Sequence, residues 1–252
     1  MALSGTNNRR PARPETVEGA GAQTLLLVLL GIATGFGPVG WATGLAFTIG
    51  TWVVLTRALR RAQVGPFGPA NRVTLARTTL VGGVTALVAE SFVSRPPTVL
   101  LTALITVALV LDAVDGHVAR RTGTESCFGA RFDMEVDAFL ILVLSVHVAL
   151  SLGAWVLVIG AMRYAFVAAA RVLPWLRGPL PPSMARKTVA ALQGIVLLVA
   201  AAGIVPRPAA YVAVLAALAA LVWSFGRDMR WLWAVRVREG ATVTEGATHV
   251  GA

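Results

Sequence analysis

The chain has 252 residues, of which 56% are hydrophobic and only 13% charged. Soluble domains carry about 25% charged residues, so this composition excludes both a disordered chain and a water-solvated globule, and makes lipid the solvent for most of the chain. The net charge of +10 comes from 21 arginines and Lys187, set between apolar runs rather than along one polar face, which favours an anionic lipid surface over nucleic acid as partner.

Residues 1–18 hold Arg9, Arg10 and Arg13 and read as a disordered cytoplasmic tail, without the cleavage pattern of a secretory signal. From Gly19 to Thr56 no residue is charged, a run of 38 that is long enough for two passes of about 20 residues each. Gly35-Phe-Gly-Pro-Val-Gly40 in its middle reads as the turn of a helical hairpin, here bounded as residues 19–65. The short, glycine-rich halves also allow a re-entrant pair. Gly65-Pro-Phe-Gly-Pro69 separates this hairpin from a main body, 66–238.

The body reads as six further spans, about 72–93, 98–118, 132–150, 155–173, 188–205 and 208–226. Runs of this length without strand alternation suit helices, which satisfy their own backbone groups in lipid. The expected fold is therefore all-α: a polytopic membrane bundle of eight spans, six in the core and two in the N-terminal hairpin. The small, polar residues 239–252 read as a disordered tail. Arginine asymmetry sets the orientation. One set of connections carries Arg9, Arg10, Arg13, Arg57, Arg60, Arg61, Arg120, Arg121, Arg131, Arg177, Arg186, Lys187, Arg227, Arg230, Arg236 and Arg238, and the other only Arg95 and Arg207. Both termini are thereby expected in the cytoplasm, with the plasma membrane as the location.

Four of the five aspartates lie within 26 residues: Asp112, Asp115, Asp133 and Asp137. Asp112 and Asp115 are spaced to share one helix face, Asp133 and Asp137 another. An eleven-residue connection containing Gly123 and Gly129 can fold the two faces together. Like charges at 4 Å repel by roughly 4 kcal/mol at an effective dielectric near 20. Four converging carboxylates therefore call for a neutralising partner, and an all-oxygen set suits one or two hard ions, Mg²⁺ or Mn²⁺. Two such ions in turn suit a pyrophosphate ligand. Gly116 leaves room for a large group beside the helix, and Arg120, one turn on, can clamp a phosphate. Glu135 points away from the Asp133–Asp137 face and is left out of the set. His117 and His147 read as solvent-facing or packing residues, and the lone Cys127 as inert.

These residues resemble the signature of the CDP-alcohol phosphotransferase family, D-x2-D-G-x2-A-R-x8-G-x3-D-x3-D. All its fixed positions are met by Asp112, Asp115, Gly116, Ala119, Arg120, Gly129, Asp133 and Asp137. A weaker likeness precedes it: Asn71-Arg-Val-Thr-Leu-Ala-Arg77 is similar to the family's N-x-x-T-x-x-R, with Ala70 where a proline often stands. The likeness covers about residues 66–226 and leaves the hairpin aside.

The resemblance implies an enzyme of phospholipid biosynthesis that moves a phosphatidyl or related phosphoalcohol group from a CDP-linked lipid donor, such as CDP-diacylglycerol, to an alcohol and releases CMP. It implies that Asp112, Asp115, Asp133 and Asp137 hold two Mg²⁺ or Mn²⁺ ions, and that Asp137 is also the general base. Gly116, Ala119, Arg120, Gly129 and, in the loop, Ser126 would contact the donor, with Asn71 and Thr74 closing the pocket. It further implies a homodimer.

Arg163 lies mid-span, where a lone arginine is costly, so it is expected to face a polar cavity. With Arg171, Arg186 and Lys187 it is expected to receive a phosphorylated acceptor such as inositol phosphate or glycerol phosphate. Tyr164 stands where the phosphoglycerol-transferring branch often has glutamate. Two other readings compete with the enzyme: a divalent-cation transporter using the four carboxylates, and an inactive scaffold retaining the motif. Arg120 counts against an ion path, because a cation gains nothing from an arginine one turn below its ligands.

Overall fold

Apolar runs broken by glycine and proline give helices throughout. The computed structural model describes residues 14–62, 69–122, 127–178 and 180–249, with side chains over 18–57, 73–114, 129–178 and 180–237. Eight α-helices and no strand occur among these residues. They are α1 (Pro14–Thr34), α2 (Pro38–Ala62), α3 (Pro69–Glu90), α4 (Thr98–Thr122), α5 (Cys127–Leu152), α6 (Leu157–Val172), α7 (Met184–Ala202) and α8 (Arg207–His249). Short 3₁₀ turns lie at Ala154–Val156 and Pro174–Arg177.

Among the described residues, six helical stretches are long and apolar enough to cross a membrane: Pro38–Arg57, Val73–Glu90, Gly129–Leu152, Ala154–Val172, Met184–Ala202 and Arg207–Val237. The chain is a multi-pass membrane protein. The other two of the eight expected spans, in α1 and α4, have shorter apolar runs, Glu18–Thr34 and Thr98–Val114, near the lower limit of roughly 17 residues for a crossing. Helix α8 continues without a proline to His249, past the boundary that composition placed at 239. Between α4 and α5 the helices take up most of the expected eleven-residue connection. Gly129 and Arg131 therefore lie in the first turns of α5, where helical neighbours on both sides override glycine's weak preference for a loop.

The chain forms two compact units, Met1–Val136 and Asp137–Ala252. In the first, α3 is the central helix: 61% of Val73–Glu90 is buried, against 17% of Pro38–Arg57. Helices α1, α2 and α4 all pack on it. Gly82 makes this possible. A Cβ there would lie 2.6 Å from Gln23 Nε2 and 2.8 Å from a ring carbon of Phe47, so the bare backbone admits α1 and α2 together. Threonine hydroxyls in α3 bond back to the helix's own carbonyls. Thr78 Oγ1 donates to the Thr74 carbonyl at 2.7 Å and Thr85 Oγ1 to that of Val81 at 2.6 Å.

The turn between α1 and α2 is tied to the far end of α3 by Glu90, which is only 5% exposed. The Gly37 carbonyl accepts the first helical bond of α2, from Trp41 N at 3.3 Å, but glycine has no side chain to cap the helix. Glu90 does so from α3, accepting from Gly40 N at 2.9 Å, while Ser94 Oγ donates to its other oxygen at 3.0 Å. The carboxylate thus meets the positive end of the α2 dipole. It also fills the volume that a Cβ on Gly40 would need, 2.9 Å from Glu90 Oε2. Glu90→Ala removes a charged acceptor from a buried amide and is expected to cost about 1.5–3 kcal/mol. A thermal melt in detergent checks this, and an unchanged midpoint would show that the cap is dispensable.

In the second unit α8 packs against α7 and, along part of its length, α6. Gln193 Nε2 donates to the Ala217 carbonyl at 2.8 Å, joining α7 to α8 by a buried bond. Trp175 and Trp233 meet edge-to-face at 5.4 Å, and Arg227 and Arg236 stack on Trp223 and Trp233.

Candidate active site

The site grows from the first turns of α3. Pro69 opens that helix, with φ already suited to it. Asn71 sits in the same turn, with its side chain outside the described residues. One and two turns further on, Thr74 is 4% exposed and Arg77 fully buried. A guanidinium held inside apolar helices requires counter-ions. Arg77 Nη1 donates to Asp112 Oδ1 on α4, and Arg77 Nη2 to Asp133 Oδ1 on α5. Nη2 also donates to the Asp133 carbonyl at 3.1 Å. One planar fork thereby gathers the first aspartate of each pair, and only a guanidinium offers donors in that fixed geometry.

Exposure is uneven across the cluster. The Arg77 side chain is 0% exposed, whereas those of Asp112 and Asp133 are 34% and 33% exposed. The arginine lies behind the carboxylates and leaves part of each open. Asp137 follows Asp133 by one turn in α5 and is half-buried. Asp115, Gly116, Ala119 and Arg120 lie on the last turns of α4, with side chains outside the described residues, and Ser126 lies outside them altogether. Gly129 is in the first turn of α5.

The donor set fits a hard divalent cation. Two carboxylate oxygens are drawn to a single guanidinium, both groups retain exposed surface, and every donor is oxygen. Among the described residues no group of three or more His, Cys, Asp or Glu side chains comes together. Among the described side chains, Arg77 brings together Asp112 and Asp133 of the expected four.

The expected acceptor residues all fall in the second unit. Arg163 is half-buried in α6, and Arg171 and Lys187 are exposed. Arg186 Nη1 donates to Asp228 Oδ2 at 3.1 Å and Nη2 to the Pro181 carbonyl at 2.6 Å. Arg227 donates to Asp228 Oδ1 at 3.3 Å and to Ser183 Oγ at 2.9 Å, the residue that caps α7. Asp228, the fifth aspartate, thus fixes Arg186 in place, a role that spacing alone did not reveal.

Arg77 was the larger omission. It closes the Asn71–Arg77 motif, yet its sequence suggested no role. The signal was present: an arginine inside an apolar span needs a partner, the same argument applied to Arg163.

The described residues are those of an all-helical multi-pass membrane protein in which one buried arginine draws together carboxylates from α4 and α5. The family model described as CDP-alcohol phosphatidyltransferase matches residues 67–225, more than half the chain, and the chain belongs to that family. Comparison with curated proteins and with solved structures gave no match. Members are transferases of substituted phosphate groups that act in phospholipid biosynthesis. They carry a phosphatidyl group from a CDP-alcohol to an acceptor alcohol in the membrane, generally with divalent metal ions. The transporter and scaffold readings give way to this assignment.

Proposed function

We propose that this protein transfers the phosphatidyl group of CDP-diacylglycerol to a phosphorylated polyol, such as inositol phosphate or glycerol phosphate, and releases CMP. The reading rests on the eight-position acidic motif at the ends of α4 and α5, and is supported by Asp112 and Asp133 converging on Arg77. Asp112, Asp115, Asp133 and Asp137 would hold two Mg²⁺ or Mn²⁺ ions. Such ions, when bound, offset charge on the transferring phosphoryl group and on the departing CMP.

The rest of the chemistry falls to the chain's own residues. An alcohol with a pKa far above 7 attacks phosphorus poorly, so Asp137 takes its proton as the new O–P bond forms. The bond between that phosphorus and the CMP oxygen breaks, and CMP leaves with the electron pair. Gly116, Ala119, Arg120, Ser126 and Gly129 line the donor side, and Asn71 and Thr74 close it. Arg163, Arg171, Arg186 and Lys187 supply positive charge for an acceptor phosphate, with Asp228 holding Arg186 in position.

The enzyme works as a homodimer in the plasma membrane, with both termini and the active site in the cytoplasm, as the arginine distribution favours. The hairpin of residues 19–65 is an accessory to the core at 66–238.

An acceptor screen tests the function. Purified protein with Mg²⁺ or Mn²⁺ and CDP-diacylglycerol is expected to release CMP with a phosphorylated polyol, and mass spectrometry of the lipid identifies the product. Release only with uncharged alcohols would overturn the acceptor class, and no release with any acceptor would overturn the reaction.

A further inference from the structure

We propose that Arg77 is a positioning residue that orients Asp112 and Asp133 for the divalent ions, holding both carboxylates from behind. The inference rests on the metal-binding reading above and adds to it a residue outside the acidic motif. Three observations carry it. First, Arg77 spends both terminal nitrogens on the two aspartates, and one also on the Asp133 backbone carbonyl, so it fixes the α5 main chain as well as the side chain. Second, the guanidinium is fully buried while each carboxylate keeps about a third of its surface exposed, 34% for Asp112 and 33% for Asp133, so the arginine lies on the side away from the open faces. Third, both side-chain contacts use Oδ1, and a carboxylate offers about four lone-pair sites on its two oxygens. One carboxylate can therefore engage the fork and a cation together.

The electrostatics agree with a clamp. Asp112 and Asp133 come from different helices and repel each other, and a positive charge shared between them offsets that repulsion. Residues that hydrogen-bond to metal ligands from outside set ligand orientation, and losing them typically weakens metal affinity 10–100-fold. Lysine cannot replace the clamp, because a single ammonium lacks the planar fork that reaches two carboxylates at fixed angles.

The test is Mn²⁺ binding to the purified, substrate-free protein in detergent, read as free Mn²⁺ by electron paramagnetic resonance, alongside a metal-free thermal melt. Wild type is expected to bind saturably and Asp112→Asn to lose that binding. Arg77→Gln should raise the Kd about 10–100-fold. Arg77→Lys, which keeps a buried cation if the glutamine variant fails to fold, should raise it by a smaller factor. A folded Arg77→Gln or Arg77→Lys with the wild-type Kd would reduce Arg77 to a packing role and overturn the inference. Tighter binding would also overturn it, by showing that the guanidinium competes with the ion. Absence of saturable binding in wild type would instead remove the metal reading itself, and this inference with it.

Discussion

Asp137→Asn is expected to lower CMP release by roughly 10²–10⁴-fold while leaving the protein folded, because asparagine keeps the shape of the side chain but cannot take a proton. The position is unforgiving for a second reason. Asp137 follows Asp133 by one helical turn, so any role in holding metal is also reduced by the loss of its charge. Asp112→Asn provides the contrast, since its effect should run through metal affinity and soften at high Mn²⁺, whereas the loss of a base cannot be relieved by added metal. The measurement is CMP release against Mn²⁺ concentration for both variants, with a thermal melt as the folding control. Undiminished release by Asp137→Asn would remove the base assignment, and rescue of Asp137→Asn to wild-type rate by Mn²⁺ would make it a metal ligand only.

Gly160→Val is expected to be among the most damaging changes for stability, although it lies far along the sequence from the acidic motif. Gly160 is buried in α6, and a Cβ there would lie 2.5 Å from the Leu142 Cα and 3.1 Å from Ser145 Oγ on α5. Carbon atoms pack at about 3.5–4.0 Å. The nearest obstacle is main chain and cannot rotate aside, so α5 and α6 must separate. Overpacking of this kind costs about 1–3 kcal/mol, and valine adds two further methyl groups to the clash. Gly50→Ala is the matched control: nothing lies within 4 Å of a Cβ there, and alanine in a helix gains roughly 0.5–1 kcal/mol over glycine. Melts of the two variants should therefore move in opposite directions. A Gly160→Val midpoint at the wild-type value would show that the two helices separate without cost.

The helices themselves were legible because their signals are local. Apolar runs and their glycine and proline breaks located α3, α6 and α7 to within a few residues, as in α6, expected at about 155–173 and found at Leu157–Val172. An error arose where a local signal had two meanings: Gly129 suggested a loop, yet it sits in α5. Hydropathy reports burial in lipid, not helicity, so it misses a helix that leaves the apolar layer.

The sequence by itself determined that the chain lies in a membrane and that it is helical, because composition and period act over a few residues, and its acidic motif marked the enzyme class through its resemblance to a known family signature. Only the tertiary structure decided which charges meet. Arg77 takes partners 35 and 56 positions away, Glu90 caps a helix that begins about 50 positions earlier, and Asp228 holds Arg186 across 42. No periodicity encodes such pairings. They follow from which helix faces pack together, and in an apolar interior each buried charge must then settle on the opposite charge or dipole that packing places within reach.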